Sequence, residues 1–240
     1  TSLSAEATEI EVLDASKLQT VYQVPSATGV TLLRGLQQLT NEDASPKYPT
    51  LVGIDEIGII KIENDDGYEL AIWTEKDGNT LKNLIRGVLG TKAIAVEINA
   101  GDTTQNAPTI KEYVYLNMPA LKALYAIYTG SLYGHPGKFL PDHWHLGVNT
   151  DYIQTSSFVN IGAVLWDLFN DDVGFPLVIK GMEDQDAKQL IEKKILYMLG
   201  LYTPINNFGE ITLKRIKFVG ATGSYSRLLN RDNVYKYGAL

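Results

Sequence analysis
The periodicity of this chain changes once, near Asn117, and that change sets what it can fold into. Before it, apolar residues recur at alternate positions in short runs broken by turn residues, the mark of half-buried strands. Thr8–Leu13 alternates apolar and charged side chains, and Leu51–Ile62 is rich in β-branched residues. Asn64-Asp65-Asp66-Gly67 then supplies a turn, Tyr68–Trp73 alternates again, and Lys76–Asn79 supplies a second turn. Leu81–Leu89 and Ala93–Ile98 complete a meander. Its short, evenly spaced strands predict a small antiparallel barrel or sandwich over 1–112. Between 19 and 48 the pattern loosens around Pro25, Gly29 and Pro46, which reads as an excursion from the barrel with a short helix near Leu32–Leu39. Loops of that length in compact domains are usually functional or mobile.

Beyond Asn117 the period is helical. Asn117 offers a cap and Pro119 a first-turn proline, whose missing N–H is no loss there. Leu121, Leu124, Tyr125 and Tyr128 follow on one face, and Gly130 suits a left-handed stop. Ser156-Ser157 opens a second helix with Phe158, Ile161, Leu165, Leu168 and Phe169 along one side. Asp184 opens a third, striped by Ala187, Leu190, Ile191, Ile195 and Met198 and closed by Gly200; Asp184 and Lys188 lie one turn apart. Pro176–Lys180 reads as a strand. Leu201–Ile205 and Glu210–Phe218 flank the turn Asn206–Gly209 as a β-hairpin, and a slip in apolar alternation between Leu213 and Ile216 predicts a bulge. The expected fold class is therefore α+β. A β-rich, barrel-like domain spans 1–112; an α+β domain spans 113–240, with about three helices and a basic C-terminal hairpin and tail.

Composition narrows the function classes. With 240 residues, 45% apolar and 20% charged, the chain is globular and large enough to bury a core without staples. It contains no cysteine, which excludes disulfides, iron–sulfur clusters and thiolate zinc sites. No apolar run approaches the ~20 residues of a bilayer span. The opening Thr1–Glu6 lacks the basic and apolar regions of a secretory signal, and a small first residue fits removal of an initiator methionine. Net charge is −7, but residues 211–240 carry +5 (Lys214, Arg215, Lys217, Arg227, Arg231 and Lys236 against Asp232), which leaves −12 on the rest. An acidic body argues against phosphate-driven nucleic-acid binding. The basic end fits either a strand with one solvated face or a contact with an acidic partner.

Candidate chemistry is sparse. His135, His143 and His145 are the three histidines, and His143 and His145 would share one face of an extended segment beside Asp142. A catalytic zinc needs three protein ligands and an oriented outer shell. The alternative is a shaped loop in which Trp144 and Leu146 pack and the imidazoles bond to backbone. Asp55-Glu56, Asp65-Asp66 and Asp171-Asp172 are paired carboxylates, but acid–base work needs a cleft that drives their pKa values apart. Gly87–Thr91 lacks the lysine and spacing of a phosphate loop, and there is no Gly-x-Ser-x-Gly elbow. The tyrosines could line a sugar- or receptor-binding surface, although Tyr125 and Tyr128 at helical spacing read as core.

Two glycine-punctuated stretches, Asn79–Thr91 and Leu132–Gly147, the second also dense in proline and aromatic residues, read as architectural. Asn79-Thr80-Leu81, Arg86-Gly87-Val88-Leu89-Gly90-Thr91, Ala93, Ala95 and Ala100-Gly101-Asp102 resemble a phrase carried by tail-tip hub (baseplate hub) proteins of long-tailed bacteriophages. Ala7–Ser16 and Ile54-Asp55-Glu56 resemble that module's earlier strands. Tyr128–Gly134, Leu140–Trp144, Gly200-Leu201-Tyr202 and Gly209–Arg215 are similar to a segment of the same hubs, in the same order. The likeness covers about 5–218. The chain departs from it by an unmatched stretch between the early strands, and by Ile94 and Val96 where the family often has alanine and histidine.

The resemblance implies a structural virion protein, assembled in the host cytoplasm: a homotrimeric hub joining the six-fold tail tube to a three-fold tip. It would bind neighbouring tail-tube, distal-tail and baseplate or fibre proteins. Its acidic body would let DNA slide through the channel without specific binding. The excursion over 19–48 and the basic terminal strand are the expected contact elements. No catalytic, cofactor-binding or metal residue is assigned, and no cofactor. Two rival readings are a glycan- or receptor-binding module using exposed tyrosines and Trp144, and a metal-dependent hydrolase using His143 and His145.

Overall fold
One hairpin organises the first half. The computed structural model describes residues 3–23, 31–65, 67–95, 108–169, 176–180 and 187–216. In chain order the strands of this half are β1 (Glu9–Glu11), β2 (Val21–Tyr22), β3 (Glu56–Asn64), β4 (Gly67–Trp73), β5 (Glu75–Asp77), β6 (Thr80–Lys82) and β7 (Thr109–Glu112). β3 and β4 pair antiparallel from Gly58–Trp73 to Asn64–Gly67, so the hairpin turns where the sequence predicts. β2 and β7 share the other edge of β3 in tandem. β1, β6 and β5 form a separate three-stranded sheet, closed by the second expected turn between Asp77 and Thr80.

Side chains of a strand point alternately to opposite faces, and both faces of the β3–β4 hairpin are covered. Ile60, Ile62, Ala71 and Trp73 pack with Ile10 and Leu81 on one side. Ile57, Ile59, Leu70 and Ile72 pack with Leu33 and Leu51 on the other. That second cover comes from the stretch expected to be an excursion. Helix α1 (Leu32–Gln37) starts at Thr31, whose hydroxyl accepts from the Arg34 N–H, and lays Leu33 on the sheet. The Gln37 amide donates to the carbonyls of Leu51 (2.7 Å) and Ile54 (2.9 Å), which fixes the next loop. Leu33 and Leu51 of this stretch thus belong to the core, with Leu32, Leu36 and Tyr48 packed against it, while 38–44 stay exposed; 24–30 lie outside the described residues. Gly58 faces Trp73 across the ladder, and a methyl group there would overlap the indole ring. A mid-strand glycine is explained by that close approach.

The barrel expected over 1–112 is corrected by the structure: among the described residues no sheet closes on itself. Closure needs an unbroken, staggered ladder. The segment read as a strand from Leu81 to Leu89 keeps only β6 and a single bridge between Ile72 and Ile85. Asn83, Gly87, Leu89 and Gly90 all take left-handed backbone angles, with φ of 57°, 67°, 55° and 84°. Each turns the chain off the ladder, and two are not glycine, so composition does not announce them. Ala93–Ala95 has no regular structure; the rest of the expected strand to Ile98 lies outside the described residues.

The second half contains β8 (Tyr115–Pro119), α2 (Ala120–Thr129), α3 (Thr155–Phe169), β9 (Pro176–Lys180), β10 (Leu201–Tyr202) and β11 (Lys214–Arg215). β8 runs straight into α2, so Asn117 pairs with Val178 of β9 and is not the expected cap. Gly130 does stop α2, at φ 82°. Nearly every side of α2 is buried, as a central core helix requires. Phe158, Ile161 and Leu165 of α3 face the same core; the side chains of Leu168 and Phe169, and the expected helix start at Asp184, lie outside the described residues.

The last helix is α at Ala187–Gln189, π-wound over Leu190–Leu196 and α again at Tyr197–Leu199. π-winding bonds each residue to the one five further on, and Leu190, Ile191, Ile195 and Leu196 are all buried. The extra residue shifts the phase: Met198, expected inside, is half-exposed, and Leu199 takes its place. Gly200 closes the helix at φ 63°. The expected hairpin forms, but without the bulge. Partners keep one register from Leu201–Arg215 through Ile205–Ile211. Its ladder thins at Pro204, which has no N–H to donate and accepts from Thr212 at 2.9 Å.

Candidate functional site
The two motif-bearing stretches each build a joint. In the first, Glu69 of β4 is fully buried and accepts a two-pronged contact from Arg86, whose side chain is itself buried. The second prong, Arg86 Nη2 to Glu69 Oε2, is 2.6 Å. Arg86 also donates to the carbonyls of Ser4 and Ile94 at 2.8 Å each, and the Ile94 N–H donates to Glu69 Oε2 at 2.5 Å. One guanidinium therefore ties the chain start, the central hairpin and the loop after Thr91 together. Planar, bidentate pairing of this kind is what arginine provides and lysine does not. Thr91 completes the knot: its hydroxyl accepts from Leu70 N–H (3.0 Å) and donates to the Val88 carbonyl (2.8 Å). At Gly87 a Cβ would sit 3.0 Å from the Ala93 amide nitrogen on a backbone of φ 67°, so only glycine fits.

The second joint is the seam between the halves, formed by the loop 130–148. Its amides cap the end of α2: Gly130 N–H reaches the Ala126 carbonyl (2.7 Å), Leu146 reaches Ile127 and Val148 reaches Tyr128 (both 2.8 Å). The three histidines go to three different places. His145 lies against Gly130, where a Cβ would meet the ring at 2.7–2.9 Å, and its Nδ1 accepts from the Gly147 N–H at 3.0 Å. His143 Nε2 lies 2.5 Å from Glu112 Oε2, and Trp144 Nε1 donates to that same oxygen at 2.8 Å. His135 packs on the Tyr22 ring, centroids 5.1 Å apart. Burial, helped by nearby Lys122, pushes its pKa below the usual histidine value.

Lys138 completes the seam. It reaches Glu56 at 2.7 Å and Asp55 at 3.3 Å, and its ammonium lies over the Tyr22 ring, 4.8 Å from the centroid. The hydrogen bond to Glu56, then that to Asp55, holds its pKa above the ordinary lysine value. The carboxylate pair singled out in the sequence is thus a docking point for a lysine. Asp66, Asp171 and Asp172 lie outside the described residues.

Between β2, β3 and the start of β8 a shallow groove is lined by Gln19, Gln23, Glu112, Tyr113, Tyr115 and Trp144 among others. Its enclosed space is about 10 Å³, room for about one water and far below the ~300 Å³ at which small-molecule pockets begin. Trp144, the ring proposed for glycan stacking, is half-buried against the second-half core with its N–H engaged on Glu112. Among the described residues no group of three or more His, Asp or Glu side chains is placed to hold a metal. No described helix is long and apolar enough to cross a membrane. The chain matches no protein-family model, no curated protein and no solved structure. Glu69, Glu112 and Lys138 carry the joints and were not singled out in the sequence. Glu69 sits in an apolar run where only the partner 17 positions away explains a charge.

Proposed function
We propose that this chain is a structural part of a bacteriophage tail tip, a self-associating hub whose work is done by its surfaces. The observation that supports this reading is the use made of the two stretches on which the resemblance rests. Arg86, Gly87 and Thr91 lock one half internally, and residues 130–148 clamp the two halves together. These are the side chains a rigid ring component needs, because a part that transmits load between neighbours must not bend at its own seams. The reading carries with it the three-fold assembly, the tail-tube and baseplate neighbours and the virion location that the resemblance implies. Imaging of intact particles labelled on this chain tests it. Label concentrated at the tail tip is the expected result; particles that carry none of this chain would overturn the reading.

A further inference from the structure
We infer that the last helix is a two-register element: its π turn stores one residue that an α-helix would release, and the charge of Lys194 is the latch that keeps it stored. This is a property of the single chain, so it stands or falls apart from the hub reading.

In an α-helix successive side chains lie about 100° apart. An α-helix continued forward from Ala187–Gln189 would gather Ala187, Leu190, Ile191, Ile195 and Met198 within about 140° of one another, the stripe that the sequence predicts. Lys194 would lie near the middle of that stripe, and Leu196 would face the opposite way. An α-helix run backward from Tyr197–Leu199 would gather Ile191, Ile195, Leu196 and Leu199. It would also bring Lys188 and Glu192 in among them and turn Leu190 out. Each α frame therefore puts charge into the core, and burying a charge is strongly unfavourable unless it is paired there. The π winding over Leu190–Leu196 escapes both costs. Leu190, Ile191, Ile195, Leu196 and Leu199 are buried, while Lys188, Glu192, Lys193 and Lys194 stay exposed.

The backbone carries the strain instead. Where the π winding ends, the Tyr197 N–H is divided between the Glu192 carbonyl, five residues back, and the Lys194 carbonyl, three back. Seven residues are also long for a winding found mostly as single-turn bulges, frequently at functional sites. The two α frames are not equally distant. The backward frame needs two charges inside, the forward frame only Lys194. In the forward frame Met198 takes the inner place now held by Leu199, Leu196 turns outward, and the spare residue passes into the junction at Gly200. That junction has room: a Cβ on Gly200 would meet nothing within 4 Å. The slip gives up the Gly200 N–H bond to the Tyr197 carbonyl (3.1 Å) and the Ile216 N–H bond to the Gly200 carbonyl (2.8 Å). The hairpin beyond keeps its own anchors, the Leu213 N–H on the Ser157 hydroxyl at 2.9 Å and the Ile153–Ile211 bridge. One helix thus has two packings of the same residues, a bistable element of the kind that switches use.

Thiol labelling of the full chain tests this, because the chain has no cysteine and each variant then carries one. Met198 is half-exposed and Leu199 buried, so M198C should react quickly with a maleimide and L199C slowly. Adding Lys194→Leu removes the latch, and labelling of M198C should then slow by about tenfold or more as the site turns inward. Lys194→Arg keeps the charge and should leave M198C as reactive as before. With Lys194 in place, L199C should still label at least about tenfold faster than I191C, because the slip exposes position 199 and only global unfolding exposes position 191. Should L199C fail to fold, the Lys194→Leu and M198C pair decides alone, since both positions lie outside the core of the π register. M198C labelling that ignores Lys194→Leu, protection of M198C by Lys194→Arg as well, or equal rates at positions 191 and 199 would each overturn the two-register helix.

Discussion
Asn79–Thr91 and Leu132–Gly147 are both punctuated by scattered glycines between packed elements, yet they are held by opposite means. The first is closed by a buried ion pair, Arg86 on Glu69, sealed from water. The second is closed by backbone caps and by contacts that water reaches, the ion pairs of Lys138 with Asp55 and Glu56 and the hydrogen bond between His143 and Glu112. A buried pair loses much more when one partner is removed than it contributes as an intact pair, because a stranded charge remains. A solvated pair loses little and weakens further with salt. The first half is therefore intolerant at one point, and the seam distributes its hold over many weak ones.

The largest expected effect tests the first side of that contrast. Arg86→Met should lower unfolding free energy by about 3–5 kcal/mol, the range for leaving a buried charge unpaired, and added salt should not change the loss. A urea titration showing less than about 1 kcal/mol would place Arg86–Glu69 with the solvated pairs. Gly130→Ala comes next. A left-handed backbone alone disfavours alanine by about 1–2 kcal/mol, and the added methyl must also push back the His145 ring. Gly134→Ala has the same kind of backbone, φ 84°, with open space around it. The excess of the first substitution over the second isolates the His145 contact, and equal losses would remove it from the account.

The smallest effect is one of pH. His135 has a folded pKa below the ordinary 6.5. Between the two values the unfolded chain binds more protons, so stability rises with pH across that window and is lost as pH falls below about 6.5. His135→Phe keeps a ring on Tyr22 but cannot be protonated. Thermal melts should show the variant gaining on wild type as the buffer is acidified; parallel melting curves at every pH would mean that His135 takes no part.

What the sequence made legible was local. Asn64–Gly67, Gly130, Gly200 and the Asn206–Gly209 turn act where their residue types say they should, because a turn depends on neighbours in the chain. What it hid was non-local. Asn83 and Leu89 adopt left-handed angles in a segment whose alternation reads as strand, and beyond β6 its pairing shrinks to the Ile72–Ile85 bridge. The π-winding over Leu190–Leu196 keeps a buried stripe like that of an α-helix until its last turn. At the candidate joints, Glu69 and Arg86 are 17 positions apart and Lys138 and Glu56 are 82 apart, distances over which spacing carries no signal.

Val21 belongs to the first half by strand pairing and to the second by packing: it pairs with Ile57, yet it is part of the core cluster that holds Leu116, Leu124 and Leu201. Tyr22 beside it is roofed by His135 and Lys138. A graft that exchanged the leading 112 residues for a foreign sequence would leave a hole in the recipient's interior unless the newcomer brought a valine and a ring to the same spot. Selection can therefore trim or decorate the outer loops of this chain one by one, but it inherits the two halves as a single unit.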